Sequence, residues 1–344
     1  MTNNNISKAI QSDIVISTRI RLARNLKEYP FPCRMNNDTA VKVANEVKDA
    51  LFSYGNATSD MFKCIDMSTI SENEALSLSE KHYISREFAK HMEGRYLFLS
   101  NDGKISIMVN EEDHIRIQTI SDGMNLQEAY ELADKIDTLL SEKLNYAYDD
   151  RLGYLTQCPT NLGTGMRASF MLHLPALTKT SSINRISSSL SKLGLIMRGF
   201  DGEGSKALGA LYQLSNQITL GLSEQNAMDN LNSIANQIIS RERETQKEIV
   251  KNIDMVDIIY RSLGVLKNAR LLSSSEAMEC MSSVRLGICT GILKSNNLSS
   301  DELNKLLIDI QPNTLILNNP NNAEPFERDA IRADITRKAF SETS

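Results

Sequence analysis

Cysteine is scarce and scattered. The five present, Cys33, Cys64, Cys158, Cys280 and Cys289, are odd in number and form no C-x-x-C pair. That excludes a disulfide framework or a cysteine zinc site and fits a reducing compartment. Long apolar runs are missing too: no stretch approaches the ~20 residues of a membrane-spanning helix. Residues 1–12 hold no signal-peptide core, so a cytoplasmic protein without membrane contact is expected. There is no excess of basic charge, since 38 Lys+Arg face 43 Asp+Glu for a net charge of -5. This argues against direct nucleic-acid binding by bulk charge and leaves a local basic pocket open. Neither G-x-x-x-x-G-K-[ST] nor G-x-G-x-x-G occurs, so any phosphate site has to be built without a Walker lysine. What remains, 344 residues with 41% apolar and 24% charged content, is ordinary for a globular chain with room for two domains.

Charge is concentrated in one stretch, Asn110-Glu111-Glu112-Asp113-His114-Ile115-Arg116. Like charges so close repel one another and call for a cation opposite. The runs at 96–99, 104–109 and 115–120 read as strands, with Asn101-Asp102-Gly103 as a hairpin turn between the first two. The acids therefore fall at a sheet end. By themselves they also read as a solvated acidic turn or a divalent-metal site.

Arginines recur at strand ends and beside glycines. In Ser17-Thr18-Arg19-Ile20-Arg21, alternation puts Arg19 and Arg21 on one strand face, which needs an anion or solvent. The loop at 158–165, rich in glycine and small polar residues, leads into Arg167-Ala168-Ser169-Phe170-Met171. Such a loop lets backbone N–H groups approach an anion, or is simply a loop. A strand at 195–197 runs into Arg198-Gly199-Phe200-Asp201-Gly202-Glu203. His82, alone in 80–85, reads as structural.

Helical patterns cover 38–52, capped by Asp38 or Thr39, part of 72–91, and 183–193. The pattern at 125–146 has Asn125 and Glu128 at capping-box spacing and a face of Ala129, Leu132, Ala133, Ile136, Leu139, Leu140 and Leu144. Residues 211–220 read as a strand with a polar insert. Helices then dominate: 224–252, 255–263, 275–292 and 301–310, the last with a Ser299/Glu302 capping box. A polar loop at 313–325 precedes a final helix at 326–340. The expected division is a catalytic domain at 1–245 and a helical domain at 246–344, with the boundary inside a long helix.

Guanidinium groups are permanently charged forks matched to phosphate oxygens. Phosphoryl transfer needs alignment and charge neutralisation more than covalent help. Arg19, Arg21, Arg116, Arg167 and Arg198 with magnesium would supply both for ATP. The carboxylates Glu112 and Glu203 would hold a guanidinium acceptor, and one would take its proton.

These stretches, Ser17 to Arg21, Asn110 to Arg116, Cys158 to Ser169 and Arg198-Gly199-x-x-Gly202-Glu203, resemble the ATP:guanido phosphotransferases in content and order. The resemblance implies an α+β fold, a phosphagen-kinase-like antiparallel sheet flanked by helices, followed by an all-α domain. It implies ATP contacts from Ser17, Thr18, Arg19, Ile20, Arg21, His82, Arg116, Arg167, Ala168, Ser169, Phe170, Met171, Arg198, Gly199, Phe200, Asp201, Gly202 and Glu203. Glu112 and Glu203 correspond to the catalytic carboxylates and Cys158 to the active-site cysteine. The metal, Mg²⁺, is held mainly by the nucleotide, with no protein metal ligand.

Two departures bring the chain nearest to bacterial protein arginine kinases. The strand of Arg19 begins almost at residue 1, without the preceding helical domain, and a helical region follows instead. Arg328-Asp329-Ala330-Ile331-Arg332-Ala333 matches that subfamily's R-D-x-x-R-A phosphoarginine pocket. On a helix, Arg328 and Arg332 stand a turn apart; spacing alone gives an exposed Asp329–Arg332 pair. The resemblance implies allosteric activation by phosphoarginine, a homodimer and a role in stress response. The implied partners are substrate proteins with exposed arginines, including a stress-gene repressor, an activator protein and an ATP-dependent protease. A kinase of free arginine and a phosphoarginine-binding adaptor with an idle kinase domain are the alternatives. Asp201 and Lys206 depart from the usual residues of the nucleotide loop.

Overall fold

The computed structural model describes residues 11–53, 55, 60–199, 207–294, 298–320, 324–341 and 343. Phe200, Asp201, Gly202, Glu203 and Lys206 lie outside the described residues. The chain forms two compact units, whose divisions fall after Ile16, Ser169, Leu214 and Asn232.

The sheet unit holds residues 17–169 and 215–232. In chain order its elements are β1 (Val15–Arg24), α1 (Asn37–Phe52), β2 (Phe62–Asp66), α2 (Glu72–Glu80) and α3 (Arg86–Lys90). Then come β3 (Tyr96–Ser100), β4 (Ile105–Val109), β5 (Ile115–Asp122), α4 (Leu126–Ser141), the small hairpin β6 (Tyr148–Asp149) and β7 (Gly153–Tyr154), and the start of β8 (Met166–His173). Neighbouring strands run β2-β3-β4-β5-β1-β8, antiparallel from β2 through β1.

The register explains the two faces. Arg21 pairs with Gln118 and Ala23 with Arg116, so Arg19, Arg21 and Arg116 share one face. Ile20, Leu22, Ile115 and Ile117 point the other way and are buried, with α4 packed on β5. Thr119 Oγ1, on that same face, donates to Ala129 O of α4 at 2.7 Å.

Several expectations shift at element ends. Helix α1 is capped by Asn36, whose side chain accepts from Thr39 N, and not by Asp38 or Thr39. Asn125 makes no side-chain cap at α4; its Nδ2 donates back to Asp122 O instead. Helix α4 stops at Ser141, short of residue 146, and buries Asp137 within its apolar stripe. There the Arg24 guanidinium grips Asp137 with Nε at 3.1 Å and Nη2 at 2.7 Å, and lies 3.5 Å over the Tyr154 ring. A carboxylate on a buried helix face requires such a partner.

The helical unit holds the described parts of residues 1–16, 170–214 and 233–344. Here the strand neighbours run β8-β10-β9, with β9 at Leu195–Gly199 and β10 at Leu211–Asn216. The strand expected over 211–220 thus ends at Asn216. Short helices α5 (Pro175–Lys179) and α6 (Ile183–Leu190) lie between β8 and β9, and α6 gives way at Ser191–Leu193 to a 3-10 turn that stops at Gly194, φ 70°. The remaining helices are α7 (Glu224–Ile249), α8 (Ile253–Asn268), α9 (Ser274–Cys289), α10 (Ser300–Asp309), α11 (Pro312–Asn318) and α12 (Pro325–Ala339). Helix α11 replaces much of the polar loop expected at 313–325; Pro312 at its first position suits a helix start. The capping box of Ser299 and Glu302 is formed in both directions.

The core of this unit gathers Ile259, Leu266, Met281, Val284, Ala333 and Phe340. Glu242, fully buried in α7, accepts from the free N–H groups of Ala176 and Leu177 at 2.9 Å each. Burial pushes its carboxyl pKa up against those bonds.

Candidate active site

The acidic corner is built on a left-handed residue. Asn110 has φ 64° and is held there by Nδ2 donating to Ala40 O at 2.8 Å and Gly94 O at 2.7 Å. Asparagine tolerates that conformation better than most residues. Arg95, which the sequence reading passed over, donates to Asn110 O at 3.0 Å and to the carbonyls of Glu87 and Phe88.

The three adjacent acids have three different surroundings. Glu111 is buried, pairs with Arg116 and accepts from Ser85 Oγ. Asp113 is fully buried and accepts from Asn25 Nδ2 at 2.7 Å and Gln157 N at 2.8 Å. Burial outweighs those bonds and raises its pKa. Glu112 keeps 37% of its side chain exposed while touching Arg116 Nη2 at 2.9 Å. Only Glu112 of the three presents a carboxylate to an incoming group.

His114 is part of the frame and not of a metal site. Its Nδ1 accepts from Leu26 N at 3.0 Å and its Nε2 lies 2.9 Å from Pro30 O, which fixes the proton on Nε2. Burial lowers its pKa, so the ring is neutral at neutral pH. Among the described residues no group of three His, Cys, Asp or Glu side chains is arranged to hold a metal ion.

Facing these acids is a cluster of guanidinium groups. Burial, then Arg116 and Arg167, bring the Arg19 pKa down to about 10. Arg21 is depressed further by burial and then by Arg19, Arg116 and Arg167, with Glu111 the opposing influence. Its Nε is buried without a hydrogen-bond partner. Four guanidinium groups thus share one region of the sheet unit, where Arg116 pairs with Glu111 and Glu112. Guanidinium groups gathered this closely repel one another, and a bound anion would relieve that repulsion.

His82, also in a left-handed conformation at φ 62°, lies in the same electrostatic field. Burial, followed by Arg19 and Arg86, lowers its pKa to about 4. Its carbonyl accepts from Gln118 Nε2 at 2.7 Å, which ties the His82 turn to the arginine-bearing face. Ser17 and Thr18 precede these arginines on β1; Thr18 is buried and donates to Gly123 O, and Ile20 is in the core.

The segment from Cys158 to Ser169 is closely packed on its neighbours. Its glycines serve close packing of backbone on protein. Gly165, φ 63°, sits where a Cβ would lie 2.6 Å from Arg24 Nη1 and 2.7 Å from Ala23 O. Gly163 is likewise pressed on the Thr219 carbonyl. Cys158 is half-buried, with Sγ 3.0 Å from Thr160 Oγ1, and the preceding residue is fastened to Asp113. Ala168 and Ser169 are buried in β8, where Ala168 N donates to Asn216 Oδ1 at 2.7 Å.

Phe170, Met171, Arg198 and Gly199 belong to the helical unit. Phe170 is fully buried, Met171 packs on the helical core, and Arg198 and Gly199 end β9. At the R-D-x-x-R-A helix, Arg332 is not exposed. It is 1% accessible and donates to Ile310 O at 2.9 Å, Leu272 O at 2.8 Å and Asp329 Oδ1 at 2.6 Å. The Asp329–Arg332 pair is therefore mostly internal, while Arg328, Ala330 and Ile331 are half-buried and Ala333 is in the core.

Comparison with known proteins gives this arrangement its class. Residues 42–245 match the ATP:guanido phosphotransferase C-terminal catalytic domain. Residues 252–344 match a domain described as "Protein-arginine kinase McsB C-terminal domain". The fold resembles lombricine kinase, with a TM-score of 0.60 and 25% identity over 71% of this chain and 69% of that one. It also resembles the duplicated taurocyamine kinase of Schistosoma mansoni, with a TM-score of 0.60 and 28% identity over 70% of this chain; the match spans 34% of that longer chain. The protein-arginine kinase of Caldanaerobacter subterraneus subsp. tengcongensis is 44% identical over 94% of this chain and 95% of its own. That of Clostridium acetobutylicum is 46% identical over 88% and 89%. The chain belongs to the ATP:guanido phosphotransferase family, in its bacterial protein-arginine kinase branch. It is accordingly a kinase, and its fold is the family's antiparallel sheet flanked by helices with a helical C-terminal region. No helix among the described residues is long and apolar enough to cross a membrane.

Proposed function

We propose that this enzyme transfers the γ-phosphate of ATP to arginine side chains of proteins. The observation that carries the reading is the clustering of four guanidinium groups, Arg19, Arg21, Arg116 and Arg167, beside Glu112, whose carboxylate is partly exposed. The arginines bind and orient the triphosphate and offset charge on the transferring group. Arg198 is assigned to the same task and Glu203 to the acceptor, by resemblance. The nucleotide would carry Mg²⁺, which would supply neutralisation of the phosphate charge beside these arginines.

In the structure Glu112 shares Arg116 with Glu111. On binding, the acceptor guanidinium takes over Glu112, and the buried Glu111 keeps Arg116 in position. As the N–P bond forms, the attacking nitrogen releases a proton to Glu112, and ADP leaves with the bonding pair of the broken P–O bond.

The wider role rests on the family resemblance. It comprises stress response, marking of proteins for an ATP-dependent protease, a cytoplasmic homodimer, and protein partners that include an activator and a repressor. Allosteric activation by phosphoarginine would use α12, where Arg328 is left to meet the phosphate because the Arg332 donors face Ile310, Leu272 and Asp329.

The test is incubation with ATP and Mg²⁺ and either free arginine or an unfolded protein. Acid-labile phosphate on the protein is expected. Label on free arginine alone would contradict the reading, and no label on either would favour an adaptor.

A further inference from the structure

A groove of about 600 Å³ opens in the sheet unit beside the acidic corner, within the size range of sites that hold a bound side chain or small molecule. Its apolar lining comes from Leu26, Phe31, Tyr148 and Leu155, and Tyr148 is 58% exposed. Lys27 and Arg34 add two exposed cations. Neither forms an ion pair among the described residues, and the lining itself contains no carboxylate; Glu28 and Glu46, which accept from Asn145 Nδ2 and Tyr29 Oη, lie outside it. The lining of the groove therefore pairs an apolar floor with two cations.

Its walls are tied to the candidate acceptor site by a continuous set of buried bonds. Asn25 Nδ2 donates to both Asp113 Oδ1 and Leu155 O. His114 N donates to Asn25 Oδ1 at 2.8 Å, and the His114 ring spans Leu26 N and Pro30 O. Gln157 N is held by Asp113, and Gln157 Oε1 accepts from Cys33 N at 3.2 Å. Asp113 and His114, the two residues directly after Glu112, thus frame the groove. Gln157, which lines it, directly precedes Cys158.

We propose that this groove binds the residues flanking the target arginine in an extended polypeptide substrate, and selects segments that carry an apolar side chain together with an acidic one. The inference rests on the protein-arginine kinase reading and specifies its substrate class. An acidic partner follows from Lys27 and Arg34, an apolar one from Phe31, Tyr148 and Leu155. Continuity with Glu112 makes the occupant part of the acceptor chain rather than a separate ligand.

Three peptides with a single arginine test this: one flanked by Phe and Asp, one by Phe and Lys, one by Gly and Ser. Wild-type kcat/KM is expected to favour the Phe/Asp peptide by roughly tenfold over either of the others, the scale of a few favourable contacts at a partly exposed site. The doubly charge-reversed variant, Lys27→Glu with Arg34→Glu, should reverse the order of the Asp and Lys peptides. Both side chains are exposed, and a misfolded variant would lose all three peptides alike. Tyr148→Ser should bring the Phe/Asp peptide down toward the Gly/Ser peptide. An unchanged order in the charge-reversed variant, or a Tyr148→Ser variant that keeps the full wild-type preference for the Phe/Asp peptide, overturns the proposal. If wild type labels unfolded protein without any dependence on flanking residues, the groove falls and the kinase reading stands. If wild type labels neither peptide nor protein, both fall.

Discussion

Glu111, Glu112 and Asp113 are adjacent in the chain and chemically unalike in the fold. Sequence located the cluster and singled out Glu112; it had no means of dividing the labour, because burial and hydrogen-bond partners come from Ser85, Asn25 and Gln157, remote in the chain. The structure makes Asp113 a frame residue with a raised pKa. An acid whose pKa is higher folded than unfolded contributes stability that is complete below its unfolded value, about 3.9, and lost as pH rises through the folded value. Ionised Asp113 therefore lowers stability at neutral pH. Asp113→Asn keeps the accepting oxygen for Asn25 and Gln157 and removes the charge. It should raise the melting temperature at pH 7 and give a gain that shrinks toward pH 4. An equal gain at both pH values would count against a titrating Asp113.

At the scale of elements, the alternation of Arg19 and Arg21 on β1 was legible, since a strand has only two faces, and the register puts Arg116 with them. The cost of that face was not legible: repulsion among buried guanidinium groups depends on which strands are neighbours. Because Arg21 is desolvated and repelled, its charge destabilises the ligand-free sheet. Arg21→Met should raise the ligand-free melting temperature by roughly 2–4 °C and greatly reduce the further rise on adding ATP with Mg²⁺. Calorimetry with and without nucleotide checks both; a lower melting temperature without nucleotide together with an intact ATP response would refute the assignment of Arg21 to an anion site.

Helix α12 teaches a related lesson. Spacing alone made Asp329–Arg332 an exposed pair, but the helix packs that face on the carbonyls of Leu272 and Ile310. Arg332→Met would leave those carbonyls unpaired and should cost about 3–5 kcal/mol in urea unfolding. Arg328→Ala should stay within about 0.5 kcal/mol. Loss of phosphoarginine response is therefore interpretable in the Arg328 variant, and in the Arg332 variant only beside a stability measurement. Comparable costs at both positions would remove this distinction.

For the whole molecule, the order of elements and the change from sheet to long helices were readable from periodicity. The compact units were not: their divisions fall within β1, β8, β10 and α7, each of which reads in sequence as one unbroken element. Arg24–Asp137 shows the same limit. An acid within the apolar stripe of α4 announces a buried partner, but not which one. The groove beside Asp113 is of this kind too, assembled from residues near positions 30 and 150 that share no motif.

The central claim is that Glu112 holds and deprotonates an arginine on another protein. Transfer of labelled phosphate from ATP to an unfolded protein, followed as acid-labile phosphate in wild type and Glu112→Gln, tests it most directly. The expected result is a loss of at least about 10²-fold in the variant, with the melting temperature and ATP binding retained. Glu112→Gln working at the wild-type rate would contradict it.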